Sequence, residues 1–134
     1  MILVWSSIGV LILLALVICI LVWSITKKRK LSSSAERKIR ESWLLINQIN
    51  DPVRKVLEAD KVLDLALGLL GYPGSLGEKL KKAGPRFSDL QGLWNAHKLR
   101  NTVAHEMQAQ PSLQEVDRAM RSFERALWDL GMKK

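Results

Sequence analysis

The sequence predicts an all-α protein: an N-terminal transmembrane helix followed by a bundle of four to five helices. Three observations carry this expectation. No charged residue occurs from Met1 to Thr26, so all 21 basic and 13 acidic residues lie beyond it. The remaining chain repeats the Ser-x-x-Glu/Gln pattern that opens helices. Its apolar residues recur every three or four places, and no segment alternates strictly as a half-buried strand would.

The first element is read from Ile2 to Ile25, apolar apart from a few serines. A bilayer core takes about 20 apolar residues of helix, because a helix satisfies its own backbone polar groups. Trp5 and Trp23 bracket the run, about 27 Å apart at 1.5 Å per residue, where the indole ring sits well at a lipid boundary. Lys27, Lys28, Arg29 and Lys30 follow at once. Basic residues stay on the cytoplasmic side, which predicts a single pass with the N-terminus out and the rest cytosolic. A cleaved signal peptide would carry its charge before the run, not after it. The expected organisation is an anchor over 1–26, a basic joint over 27–34 and a cytosolic domain over 35–134. These expectations make the lipid bilayer a partner, with Trp5, Trp23 and the four basic residues at the membrane interface.

The second helix is expected over Ala35–Asn50, opened by Ser33 and Glu36, with Ile39, Trp43, Ile46 and Ile49 on its apolar face. Asp51-Pro52 opens the third, over Pro52–Leu70, because Asp can cap and proline is tolerated in a first turn. Val53, Val56, Leu57, Leu63, Leu67 and Leu70 form its stripe, and Gly71 is a suitable stop. Asp60 falls on that stripe. It is either paired inside the bundle or marks a wet edge. Ser75 and Glu78 open a short helix over Leu76–Ala83, and Ser88 and Gln91 a long one over Asp89–Glu106. Ser112 and Glu115 open the last, Leu113–Leu130, with Leu113, Val116, Met120, Phe123, Leu127 and Leu130 on one face and Gly131 as its stop. Short loops predict antiparallel neighbours.

Chemistry is sparse. Cys19 is the sole cysteine and there are two histidines, so no disulfide, structural metal or cofactor is expected. Gly71-Tyr72-Pro73-Gly74 is a turn and not a phosphate cradle. The net charge is +8, half of it in Lys27–Lys30. Lys79, Lys81 and Lys82, and the row Arg118, Arg121 and Arg125, permit phosphate contacts or are simply solvated faces.

The fifth helix carries Arg100-Asn101-Thr102-Val103-Ala104-His105. An arginine followed by a polar residue and a histidine five places on resembles the Arg-x4–6-His signature of HEPN domains. With Glu58-Ala59-Asp60-Lys61, Gly71-Tyr72, Leu76-Gly77-Glu78 and Ala96-His97-Lys98-Leu99, the chain is similar to small bacterial membrane proteins with HEPN-like domains, over residues 35–134. The resemblance implies a HEPN-like bundle at the bacterial inner membrane and a homodimer. It leaves two functions open. One is an interaction or dimerisation module that binds RNA, nucleotide or a protein partner. The other is a metal-independent endoribonuclease, in which Arg100 holds the phosphate, His105 moves the proton and Asn101 orients them. Asp60 and His97 would support such a site. Positions five apart are about 140° apart on a helix, so Arg100 and His105 come together only if the helix ends or bends between them or a shared dimer cleft joins them. The structural alternative pairs Arg100 with Asp60 and leaves His105 at the helix end.

Overall fold

The computed structural model describes residues 2–26, 29–106 and 108–133. Every regular element among them is helical: α1 (Ile2–Thr26), α2 (Ser33–Asn47), α3 (Pro52–Leu69), α4 (Leu76–Ala83), α5 (Leu90–His105) and α6 (Leu113–Leu130), with a 3-10 turn over Gly84–Arg86 between α4 and α5.

The membrane-spanning anchor is corrected. Among the described residues, no helix is long and apolar enough to cross a membrane. The side chains described on α1 run from residue 8 to residue 21. The expected single pass, its orientation and the inner-membrane location fall with the anchor. The side chains of Trp5 and Trp23, and residues Lys27 and Lys28, lie outside the described residues. From Ile8 to Leu21 every described side chain is exposed, Cys19 included.

The bundle is organised around α3, which packs against α2, α5 and α6 and meets α4 near its end. Its core joins Ile39 and Trp43 of α2, Val56, Leu63 and Leu67 of α3, Leu80 of α4, Leu93 of α5, and Phe123, Leu127 and Leu130 of α6. Burial of such side chains is the main drive for association, at about 25 cal/mol per Å² of apolar surface. The α6 stripe differs from expectation at its first position. Leu113 is 71% exposed because it is the first residue after the cap, before the helix meets α3. Ala119 and Ala126 fill the interface instead.

The caps explain the boundaries. Ser75 and Ser112 form full capping boxes with Glu78 and Glu115. Ser32, and not Ser33, opens α2 by accepting from Ala35 N at 3.2 Å. That helix stops at Asn47 because the chain must turn before Asp51, which caps α3 through Val53 N and Arg54 N. A residue before proline also avoids the helical region. Asp89, and not Ser88, caps α5 by accepting from Gly92 N at 2.9 Å. Ser88 donates from its N and Oγ to Asp129 at 2.7 and 2.8 Å, which ties the loop to the end of α6. Gly131 closes α6 in the left-handed conformation at φ 111°.

Two longer links fasten the ends of the bundle. Arg29 Nη1 donates to Leu70 O at 3.1 Å and Gly71 O at 2.9 Å, and its guanidinium lies 5.7 Å over the Tyr72 ring. A cation at a helix C-terminus is favourable because the last carbonyls carry partial negative charge. Glu36 on α2 is buried and accepts from Arg40 Nη1 and from Lys133 N, both at 3.2 Å. Lys79 of α4 is buried as well, and its Nζ reaches Asp64 Oδ1 at 2.7 Å.

Candidate functional site

The polar centre of the bundle lies between α3 and α5. From α5, His97, Arg100 and Asn101 sit three and four places apart and so share a face. From α3, Asp60 meets them in the gap its apolar stripe leaves; its side chain is only 5% exposed. The question of whether Asp60 is wet or paired is thus answered by geometry. His97 Nδ1 stands 2.7 Å from Asp60 Oδ1. Arg100 Nε stands 3.1 Å from Asp60 Oδ2 as an ion pair, without the alignment of a hydrogen bond. Arg100 Nη1 donates to Asn101 Oδ1 at 2.9 Å. Asn101 Nδ2 faces His97 Nε2 at 3.5 Å, a weak contact.

These contacts close into a circuit with one consistent polarity. Arg100 fixes the Asn101 amide with its oxygen toward the guanidinium, so the NH2 points at His97. His97 Nε2 then accepts and its Nδ1–H donates to Asp60. Asp60 in turn faces Arg100. Hydrogen-bond networks assign such tautomers by satisfying every partner. Trp94 covers the imidazole edge-on, with centroids 6.0 Å apart at 66°. Gly77 at the start of α4 borders it, since a Cβ there would stand 3.9 Å from Trp94 and 4.0 Å from His97 Nε2.

The circuit brings together four of the five residues singled out from the sequence: Asp60, His97, Arg100 and Asn101. It leaves out His105. That residue ends α5, is exposed, and joins no side-chain hydrogen bond or ion pair among the described residues. Of the basic joint, Arg29 is engaged on the carbonyls that end α3 and Lys30 is exposed. Among the described residues no group of three His, Cys, Asp or Glu side chains could hold a metal. Neither Trp94 nor Gly77 was given a site role from the sequence. Trp94 stands three residues before His97, a spacing that could have flagged it, whereas Gly77 approaches the site from another helix, which no local spacing shows.

Chemically, the circuit is a consumer of polar groups. The imidazole has a partner at each nitrogen, and the buried carboxylate faces two cationic or N–H donors. A general base needs a free lone pair within reach of the proton it takes, and here those lone pairs are turned toward neighbouring side chains.

No family model matches the chain, and neither a curated protein nor a solved structure matches it.

Proposed function

We propose that the helical domain is a non-catalytic interaction and dimerisation module whose ligand is RNA or nucleotide. The observation that carries this reading is the commitment of Arg100 to Asp60 and Asn101, with His105 apart from them at the exposed end of α5. Removing Arg100 from Asp60 to hold a phosphate would leave a buried carboxylate short of its cation, which opposes use of Arg100 as a catalytic group. The circuit instead fixes α3 against α5, giving a rigid platform. The chain's net charge of +8 favours a phosphate-bearing partner by long-range attraction. The exposed Leu44, Leu45 and Leu113 supply apolar surface for a second copy.

The test uses the full chain in a mild detergent that covers the exposed side chains of α1. Labelled single-stranded RNA is added in the presence of a chelator, beside the His105→Ala variant, and the protein's mass is recorded by light scattering. The expected result is RNA retained intact by a dimer, unchanged in the variant. Cleavage that disappears in His105→Ala would establish the endoribonuclease alternative in its place. Neither binding nor cleavage would remove RNA as the ligand, and a monomer would remove the dimer.

A further inference from the structure

A cleft of about 530 Å³ runs between α5 and α6, within the range of about 300–1,000 Å³ typical of small-ligand sites. Its position is separate from the polar circuit. On α5 it is bordered by Gly92, Asn95, Leu99 and Thr102, which at 100° per residue face about 180° away from His97, Arg100 and Asn101. One helix therefore carries a closed polar network on one side and an open cleft on the other.

The cleft's charges are unequal. Lys98, Arg118, Arg121 and Arg125 line it, against Asp89 and Glu115. Both carboxylates are already engaged at helix starts. Asp89 accepts from Gly92 N, and Glu115 accepts from Ser112 N and Oγ at 2.9 and 2.8 Å. Hydrogen bonds from Ser112 hold the Glu115 carboxyl below the ordinary carboxylate range, so it stays ionised and committed. Of the cations, Arg125 reaches Asp89 only at 4.0 Å, and Arg118 Nε makes a long 3.4 Å contact to Gln114 O. Lys98 and Arg121 have no acidic partner among the described residues. Arg118 and Arg125 lie seven places apart with Ser122 between, on one ridge of α6. The floor is small and apolar, with Ala96 and Ala119 buried, while Asn95, Thr102 and Ser122 offer hydrogen-bonding groups.

We infer that this cleft is the phosphate-binding site of the module: the cations of its rim take the phosphate of a nucleotide unit, whether within single-stranded RNA or free, and its apolar floor and amide and hydroxyl groups take the base and ribose. The inference rests on the proposed function and gives it a place. A guanidinium pairs with phosphate through two parallel N–H donors. A groove with cations on both sides is the arrangement that tracks a single strand.

The experiment measures affinity for a short single-stranded RNA at several salt concentrations, using the full chain, Lys98→Gln/Arg121→Gln, and the control Arg37→Gln/Lys38→Gln. The control removes the same charge from exposed residues of α2. Each lost phosphate contact should lower the slope of log affinity against log salt by about 0.7. The cleft variant should bind about tenfold or more weakly, and the control within about twofold of the original chain. Adenosine monophosphate and inorganic phosphate serve as competitors. Competition by the nucleotide identifies a free nucleotide as the source, and its failure identifies the polymer. Competition by inorganic phosphate equal to that of the nucleotide would overturn base and ribose recognition. Equal losses in cleft variant and control would overturn the site while leaving RNA binding standing. No binding by the original chain would overturn both readings. All four substituted side chains are exposed, and circular dichroism checks that each variant keeps its helices.

Discussion

Asp60→Ala is the most informative perturbation of the bundle. Asp60 is buried and faces both His97 at 2.7 Å and Arg100 at 3.1 Å. Breaking a buried pair by removing one partner costs about 3–5 kcal/mol. Two features reduce that here. The Arg100 side chain is 30% exposed, so its guanidinium can turn to water, and the vacated position no longer holds a charge. The expected loss is about 2–3 kcal/mol, the worth of one or two hydrogen bonds to a charged group. Asp60→Asn keeps an oxygen for His97 and loses only the charge facing Arg100, so about 1–1.5 kcal/mol is expected. His105→Ala touches no partner and should stay within about 0.5 kcal/mol. Urea unfolding of the full chain, followed by tryptophan fluorescence, reads these differences. At a slope of about 1.5 kcal/mol/M, the Asp60→Ala midpoint falls by about 1.3–2 M. A double-mutant cycle with Arg100→Ala should give a coupling above about 1 kcal/mol. Stability of Asp60→Ala within about 0.5 kcal/mol of the original chain, or no coupling in the cycle, would refute the circuit as the link between α3 and α5.

Three further outcomes are expected. Asp64→Ala leaves the buried Lys79 ammonium without its carboxylate and should cost about 2 kcal/mol in the same unfolding assay, more than Glu58→Ala, whose pair with Lys61 is solvated. Gly131→Ala meets no atom within 4 Å but places a Cβ at φ 111°; backbone strain alone should lower stability by about 1 kcal/mol. Serine N–H and hydroxyl groups hold the Glu78 and Glu115 carboxyls below their ordinary value of 4.5 in the folded chain. A lowered folded pKa gives stability that is present above the unfolded value and lost as pH falls through the folded one. The gap in urea midpoint between the original chain and Glu78→Gln/Glu115→Gln should therefore hold at neutral pH and close on acidification below about pH 4; a gap that widened on acidification would contradict that sign.

Much of the helical pattern was legible because its signals are local. Ser75–Glu78 and Ser112–Glu115 needed only three residues of sequence to declare a helix start, and both form as read. Ser33 and Ser88 carried the same pattern and lost to neighbours, Ser32 and Asp89, whose side chains reach the orphan N–H groups first. Asp60 was legible as an anomaly on an apolar face, but its partners were not settled. They lie on another helix, and pairing depends on how α3 and α5 are registered, which no spacing within either helix specifies. The Arg100–His105 spacing joins two faces of one helix: His97, three residues before Arg100, shares its face, while His105 does not. The apolar run before Lys27 was legible as helix, but the membrane span inferred from it is not carried by the described residues.

The hydrogen bond from Lys133 N to Glu36 makes the bundle nearly circular in its connectivity. The start of α2 and the exit of α6 are one side chain apart, so about four residues of extended chain would bridge them. A circular permutant that joins Lys133 to Ser33 and opens at the turn of Gly71 to Gly74 would keep the five helices α2 to α6 and every contact of the polar circuit. Its cost would be α1, the Arg29 clasp on Leu70 and Gly71, the Ser32 cap of α2 and the packing of Leu31. The order in which the five helices of the bundle are synthesised is, on this geometry, separable from the shape they make.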